Sequence, residues 1–207
     1  MSPRRYSMGR RADSAATTRQ RIVESTLELH SANGILGTSW KDIAARADVS
    51  VGTVYKHFPS LDELLPACGA LMMERYQPPG HDDAETLVAG SADPGERLAA
   101  VVAAVYGFYH RAGPAAEIDP RERRLPAIIE WEAYWADTLA GFVEVALRPL
   151  APSPHTIAVA SAMLDQRTFA ALTARGVPAD VAAWDITQMI MAWLGTAGTT
   201  TSSKETT

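Results

Sequence analysis

Ile43-Ala44-Ala45-Arg46-Ala47-Asp48-Val49-Ser50-Val51-Gly52-Thr53-Val54-Tyr55-Lys56-His57-Phe58 is the stretch on which the reading of this chain turns. Ala44 and Ala47 are small where two short helices must cross closely, and Val49 is placed to fill the space beneath the turn between them. Ser50 suits the N-cap of the second of these helices, because its hydroxyl accepts a backbone N–H left free in a first turn. Gly52 and Thr53 keep the start of that helix slim, and Tyr55, Lys56 and His57 load its end with polar groups. A slim, short, polar helix fits a DNA major groove about 12 Å wide.

Upstream, helical spacing sets in at Thr17: Ile22, Val23, Thr26, Leu27 and Leu29 recur at three- and four-residue steps until Asn33-Gly34. Thr38 or Ser39 caps a helix over about 40–47, with Ile43 and Ala44 turned inward. Downstream, Ser60 and Glu63 make a capping box that opens a helix towards Tyr76. Pro66 lies inside that helix, where it removes a hydrogen bond and bends the helix or is merely tolerated. Residues 1–16 lack periodicity and read as a disordered basic arm, whose Arg4, Arg5, Arg10 and Arg11 serve phosphates or solubility.

These segments resemble the signature of TetR-family repressors: Ile43-Ala44, a small residue, Val49-Ser50, Gly52-Thr53-Val54-Tyr55, His57-Phe58 and a following Glu63-Leu64-Leu65. The match runs from Arg19 to about Leu65, roughly a quarter of the chain. It implies an all-α fold: an N-terminal three-helix helix-turn-helix domain joined through the fourth helix to a larger helical ligand-binding and dimerisation domain. It implies double-stranded operator DNA as partner, read by a homodimer, with Trp40, Lys41, Ser50, Val51, Gly52, Thr53, Tyr55, Lys56 and His57 as the DNA-binding set. Tyr55 and His57 would grip the backbone, and Val51, Gly52 and Thr53 would lie closest to base edges. Trp40 is unusual in its place, with phosphate contact and packing both open to it. Two departures stand out: Asp48 where Gly is common in the turn, tolerable because Asp accepts a left-handed backbone, and Leu61 where a phosphate-touching Lys is frequent, which removes that contact.

The charge is uneven in the sense this requires. Residues 1–57 hold nine Lys/Arg against five Asp/Glu, or +4, and residues 58–207 hold ten against nineteen, or −9, summing to the chain's −5. A basic module on an acidic body is the footprint of a phosphate-facing domain.

The expected division is 1–16 arm, 17–62 DNA-binding domain, 63–197 body and 198–207 disordered tail. In the body, Pro78-Pro79-Gly80 marks a break, and Asp93-Pro94-Gly95-Glu96 starts a helix carrying Leu98, Val101, Val102, Val105, Phe108 and Tyr109 on one face. Residues 112–125, with Arg121, Arg123 and Arg124, read as a solvated connection. Over 126–148, Ile128, Trp131, Trp135, Leu139, Phe142 and Ala146 share a face, while Glu132 flanks that stripe about 60° from Trp135.

Further helices are expected over 153–175 and 179–195, apolar on more than one face and so needing two partners each. The resemblance implies a dimer through these last helices and an enclosed effector pocket. The candidate ligand-binding set is Phe108, Trp131, Glu132, Trp135, Leu139 and Met163, with Glu132 preferring a cationic lipophilic ligand if buried; ordinary core packing is the alternative for each. The candidate dimer set is Ile157, Ala160, Leu164, Trp184, Ile190 and Trp193.

The function expected is a ligand-responsive regulator, a repressor released by a small hydrophobic effector; alternatives are a DNA-binding regulator without an effector and, remotely, a helical-bundle enzyme. The five histidines form no i,i+3 or i,i+4 pair, no Glu-x-x-His or Gly-x-Ser-x-Gly occurs, and Cys68 is the sole cysteine, so no catalytic residue, metal or cofactor is expected. Without a stretch of ~20 apolar residues or a secretory leader, the expectation is a cytoplasmic protein that does not enter membranes.

Overall fold

The computed structural model describes the backbone over residues 4–201 and side chains over residues 13–196, and every regular element among the described residues is helical. The helices are α1 (Arg4–Asn33), α2 (Trp40–Arg46), α3 (Val51–His57), α4 (Leu61–Tyr76), α5 (Ala84–Val88), α6 (Pro94–Ala112), α7 (Pro126–Leu147), α8 (Pro154–Met163), α9 (Gln166–Thr173) and α10 (Ala179–Thr201). Single 3₁₀ turns lie at His81–Asp83, Gly113–Ala116, Glu122–Arg124 and Arg148–Leu150. The all-α expectation is met.

Several boundaries differ from the sequence reading. α1 begins at Arg4 rather than Thr17, because a helix once nucleated gains a hydrogen bond for each residue added, and Arg4–Ala16 contains no proline to stop it. The side chains of Arg4, Arg5, Arg10 and Arg11 lie outside the described residues, as does everything after Thr201; α10 nevertheless carries helix through 198–201, where a tail was expected. A helix read over 153–175 is two helices, since Asp165 caps α9 by accepting the Arg167 N–H at 2.8 Å.

By contacts the chain divides into two compact units. The first runs to Gln77 and also includes Gly113–Glu130, so α4 and the segment expected to be a mere connection belong with the N-terminal helices. Its core is Ile22, Val23, Ile43, Ala44, Ala47, Val54, Phe58, Leu64 and Cys68, with Val49 packed against it. Burial pushes the Cys68 thiol up to about 12, as befits a small apolar core residue. α4 continues unbroken through Pro66. The 113–130 segment is tied in by Glu122, which is 3% exposed. Its carboxylate accepts the Leu36 N–H at 3.0 Å, beside Gly34 at φ +77°. A Cβ on Gly34 would stand 2.7 Å from the Glu122 Oε1.

The second unit comprises Pro78–Ala112 and the chain from Trp131 onward. α6 is its spine: Leu98, Val101, Val102, Val105, Tyr106, Phe108 and Tyr109 are buried, and α6 packs along α10. Asp93 caps α6 by accepting the Glu96 N–H. Arg97 closes the end of α7, donating to the carbonyls of Val145 at 2.8 Å and Ala146 at 3.1 Å, and to Ser91 at 3.2 Å. The Val145 and Ala146 carbonyls are ones that a helix C-terminus leaves without intrahelical partners.

Candidate nucleic-acid interface

α2 and α3 are each seven residues long, and both starts are defined by side chains. Ser39 and Asp42 form a complete capping box at α2. The bonds from the Ser39 hydroxyl and backbone hold the fully exposed Asp42 carboxyl below its ordinary value. At α3 the Ser50 hydroxyl accepts the Thr53 N–H at 3.1 Å and lies 2.8 Å from the Thr53 hydroxyl. At α4 only half of the expected box forms: Ser60 accepts the Glu63 N–H at 3.3 Å.

The turn between α2 and α3 is tight. Asp48 sits at φ +52°, the left-handed conformation expected of it. Arg21 of α1 donates to the carbonyls of Ala47 and Asp48, clamping the turn from beneath. This clamp was not legible in the sequence, because nothing local links an arginine in one helix to a turn 26 residues on. A second unforeseen contact places the Arg19 guanidinium 4.6 Å from the centre of the Phe58 ring.

α3 is held by one side and offers the other. Val54 is fully buried, whereas Val51, Gly52, Tyr55 and Lys56 are exposed and Thr53 and His57 partly so. Lys41 and Ser50 are exposed too. A Cβ built on Gly52 would meet only the Ser50 hydroxyl, at 3.8 Å, and the backbone there is not left-handed. Nothing inside the protein therefore requires glycine at this position. Trp40 is partly buried against the core, and its ring stacks on that of Tyr55, with centroids 4.9 Å apart and planes 28° apart. The structure brings all nine sequence-named residues onto α2, α3 and the residue that caps α3.

The residues singled out as ligand-binding divide. Phe108, Trp135 and Leu139 are buried, while Trp131, Glu132 and Met163 are partly buried. Trp135 donates to the Tyr109 hydroxyl at 2.6 Å, and Tyr109 donates in turn to the Leu164 carbonyl at 3.1 Å. Tyr106 donates to the Met163 carbonyl at 2.8 Å. The rings of Tyr106, Phe108, Tyr109, Trp135 and Phe169 make edge and tilted contacts, and Trp131 stacks on Trp135 at 5.7 Å. Burial pushes both buried tyrosine hydroxyls far above their ordinary value. Two tyrosines three residues apart were visible in the sequence, but the carbonyls they seek come from a helix end more than fifty residues away. Glu132 is part-buried, and its charge acts on Arg167, which is raised chiefly by its hydrogen bond to Asp165.

The residues singled out for a dimer divide as well. Ala160, Leu164 and Ile190 are fully buried within the single chain, so their side chains are already covered by their own core. Trp184 is 61% exposed, Ile157 and Trp193 are partly so, and Trp193 meets His155 edge-on at 6.3 Å. Val181 and Met189, 43% and 47% exposed, lie on α10 with Trp184 and were not among the residues named from the sequence for a dimer.

Residues 22–68 match the family described as bacterial regulatory proteins, tetR family. A curated relative, the HTH-type transcriptional repressor KstR of Rhodococcus jostii, is 39% identical over 74 residues, 33% of this chain and 35% of that protein. The chain spans about a fifth to just over half the length of the curated relatives it matches. A crystal structure of a TetR-like transcriptional regulator from Rhodococcus sp. RHA1 is 20% identical and superposes with a TM-score of 0.64, over 88% of this chain and 97% of that one. FadR from Bacillus subtilis, crystallised in complex with stearoyl-CoA, is 16% identical with a TM-score of 0.59, over 83% of this chain and 96% of that one. Both likenesses are to the fold.

Proposed function

We propose, from the match of residues 22–68 to the tetR family of bacterial regulatory proteins, that the chain is a transcriptional repressor of that family that binds a palindromic operator as a homodimer and is released by a small hydrophobic effector. The observation that carries the DNA-binding half is the outer side of α3, where a glycine that the fold does not need lies beside Val51, Thr53, Tyr55 and Lys56. Close approach of the helix to base edges is what such a side favours. Lys41, Tyr55, Lys56 and His57 surround it as phosphate contacts, fixing register rather than sequence.

Two copies are needed for a palindrome, because each supplies one reading helix to one half-site, a helical turn of about 34–36 Å or a multiple of it apart. The exposed Val181, Trp184 and Met189, with Ile157 and Trp193 beside them in sequence or on the neighbouring α8, form the apolar surface we assign to that pairing. For the effector, Trp131, Glu132 and Met163 are the part-buried candidates, and a cationic ligand at Glu132 would compete with Arg167 for the same charge. FadR, the fold relative that holds stearoyl-CoA, supports a lipophilic ligand by analogy. The aromatic cluster in which the Tyr106 and Tyr109 hydroxyls and the Trp135 indole are bonded internally favours the second reading: a regulator of the same DNA with no small-molecule effector.

The deciding experiment is anisotropy titration of the purified chain on its gene's own upstream DNA across a salt series, with sedimentation in parallel. A dimer binding one fragment over unrelated DNA, with affinity falling steeply in salt, is the expected result. A monomer at every workable concentration, or equal affinity for all fragments, overturns the reading. A thermal-shift screen with hydrophobic compounds separates the two readings of the body.

A further inference from the structure

We infer that Trp40 is the positioning residue of the DNA interface: its indole, stacked on the ring of Tyr55, fixes where the Tyr55 hydroxyl meets the nucleic-acid backbone. This role rests on the DNA-binding reading above. Tyr55 is 44% exposed, on the outer side of a helix whose only buried residue is Val54. An exposed tyrosine on a seven-residue helix samples several side-chain rotamers, and holding one of them on binding costs entropy. A rigid wall that selects one rotamer beforehand removes that cost from the binding step.

Trp40 meets the requirements of such a wall. It is the first residue of α2, and its backbone is set by the Ser39–Asp42 capping box immediately before it. It packs against the core that also holds Val54 and Phe58, and its ring stacks on Tyr55 at 4.9 Å and 28°. The path Ser39–Asp42, Trp40, Tyr55 thus links the cap of one helix to the outer surface of the next. A smaller apolar residue would fill the gap beneath α2 without presenting a flat ring to Tyr55, so the ring itself, rather than apolar volume, is what the position uses.

The test is a double-mutant cycle in the full-length chain, measured as affinity for the upstream fragment that the wild type binds. Tyr55→Phe removes the hydroxyl and should weaken binding about three- to tenfold. Trp40→Leu keeps apolar volume without a ring and should weaken it by a similar factor. In the Trp40→Leu background, Tyr55→Phe should then change affinity less than about twofold, because a hydroxyl that is no longer held contributes little. Trp40→Phe, which keeps a ring and lacks the indole N–H, should bind within about twofold of wild type.

The coupled term compares two proteins sharing one Trp40 substitution, so any loss of stability of the N-terminal unit caused by that substitution cancels. If Trp40→Leu does not fold, Trp40→Met, flexible and apolar, takes its place in the cycle. Additive losses from the two substitutions overturn this role, because they make Trp40 a packing residue alone. Trp40→Phe binding as weakly as Trp40→Leu also overturns it, because the indole N–H is then the contact. A wild-type chain that binds no upstream fragment overturns the DNA-binding reading and this role with it, whereas specific wild-type binding with additive losses overturns this role only.

Discussion

The N-terminal unit and the body solve the same problem, an all-helical core, by different means. In the N-terminal unit, small aliphatic side chains and one phenylalanine pack beneath helices of seven residues, and each short helix is started by a serine one residue before it. In the body, large rings pack edge to face, the end of α8 is closed by tyrosine hydroxyls, and the end of α7 is closed by an arginine reaching across the unit. The first arrangement is written in neighbouring residues and leaves an outer surface free for a ligand. The second is written in residues far apart in the chain and leaves few polar groups unused.

The sharpest way to break this comparison is to empty the smaller core. Phe58 is 1% exposed and touches the cluster around Val54, so Phe58→Ala should destabilise the N-terminal unit by about 3–5 kcal/mol. With so small a core that loss should abolish DNA binding at ambient temperature, while the four body tryptophans keep their native fluorescence. Thermal melts followed by anisotropy and by fluorescence check both. Simultaneous loss of both signals would show that the two units do not differ in the way argued.

The matching test of the body is Arg97→Ala. Three carbonyls lose a charged donor, two of them at the end of α7, and a loss of roughly 2–3 kcal/mol in urea unfolding is expected. Arg97→Lys should recover only part of it, since an ammonium cannot reproduce the spread of the planar fork.

Acid sharpens the contrast at a slightly smaller scale. Burial lowers His30, in the last turn of α1, to about 4 from an ordinary value of 6.5. The folded chain thus favours the neutral imidazole, and the unfolded chain binds the extra proton between those two values. Stability from this residue is complete above about pH 6.5 and declines as the pH falls towards 4, by an amount on the order of 2 kcal/mol. Denaturation midpoints from pH 7.5 to 4.5 should fall, and His30→Gln should flatten that fall; an unchanged slope in the variant would assign it to other groups.

What could be read from the sequence follows the same division. The caps at Ser39, Ser50 and Asp93, the inward-facing Ile43 and Ala44, and the left-handed Asp48 are local decisions, and each stands in the structure as its neighbours dictate. Glu122 was passed over because its partner, the Leu36 N–H, is 86 residues away, and a carboxylate amid arginines looks solvated until the turn it bonds is known. Ala160, Leu164 and Ile190 were taken for interface because apolar periodicity marks which residues avoid water, not whether their own chain or another covers them. The break between α8 and α9 went unseen for a like reason, since Asp165 becomes a cap only when the helix before it is stopped by contacts elsewhere.

The smallest change gives the cleanest separation of fold from function. Gly52 lies in the first turn of α3, its backbone is not left-handed, and a methyl there meets nothing closer than 3.8 Å. Gly52→Ala therefore removes the entropy that glycine costs a helix and should stabilise the N-terminal unit by up to about 1 kcal/mol. If the outer side of α3 is pressed against base edges, the same methyl occupies space that DNA needs, and operator affinity should fall even as the melting temperature rises. Opposite signs in the two measurements locate the reason for this glycine outside the protein. A variant that is both more stable and equally tight would mean that α3 does not approach the DNA at that point, and the contact surface would have to be sought further along the helix, towards Tyr55 and Lys56.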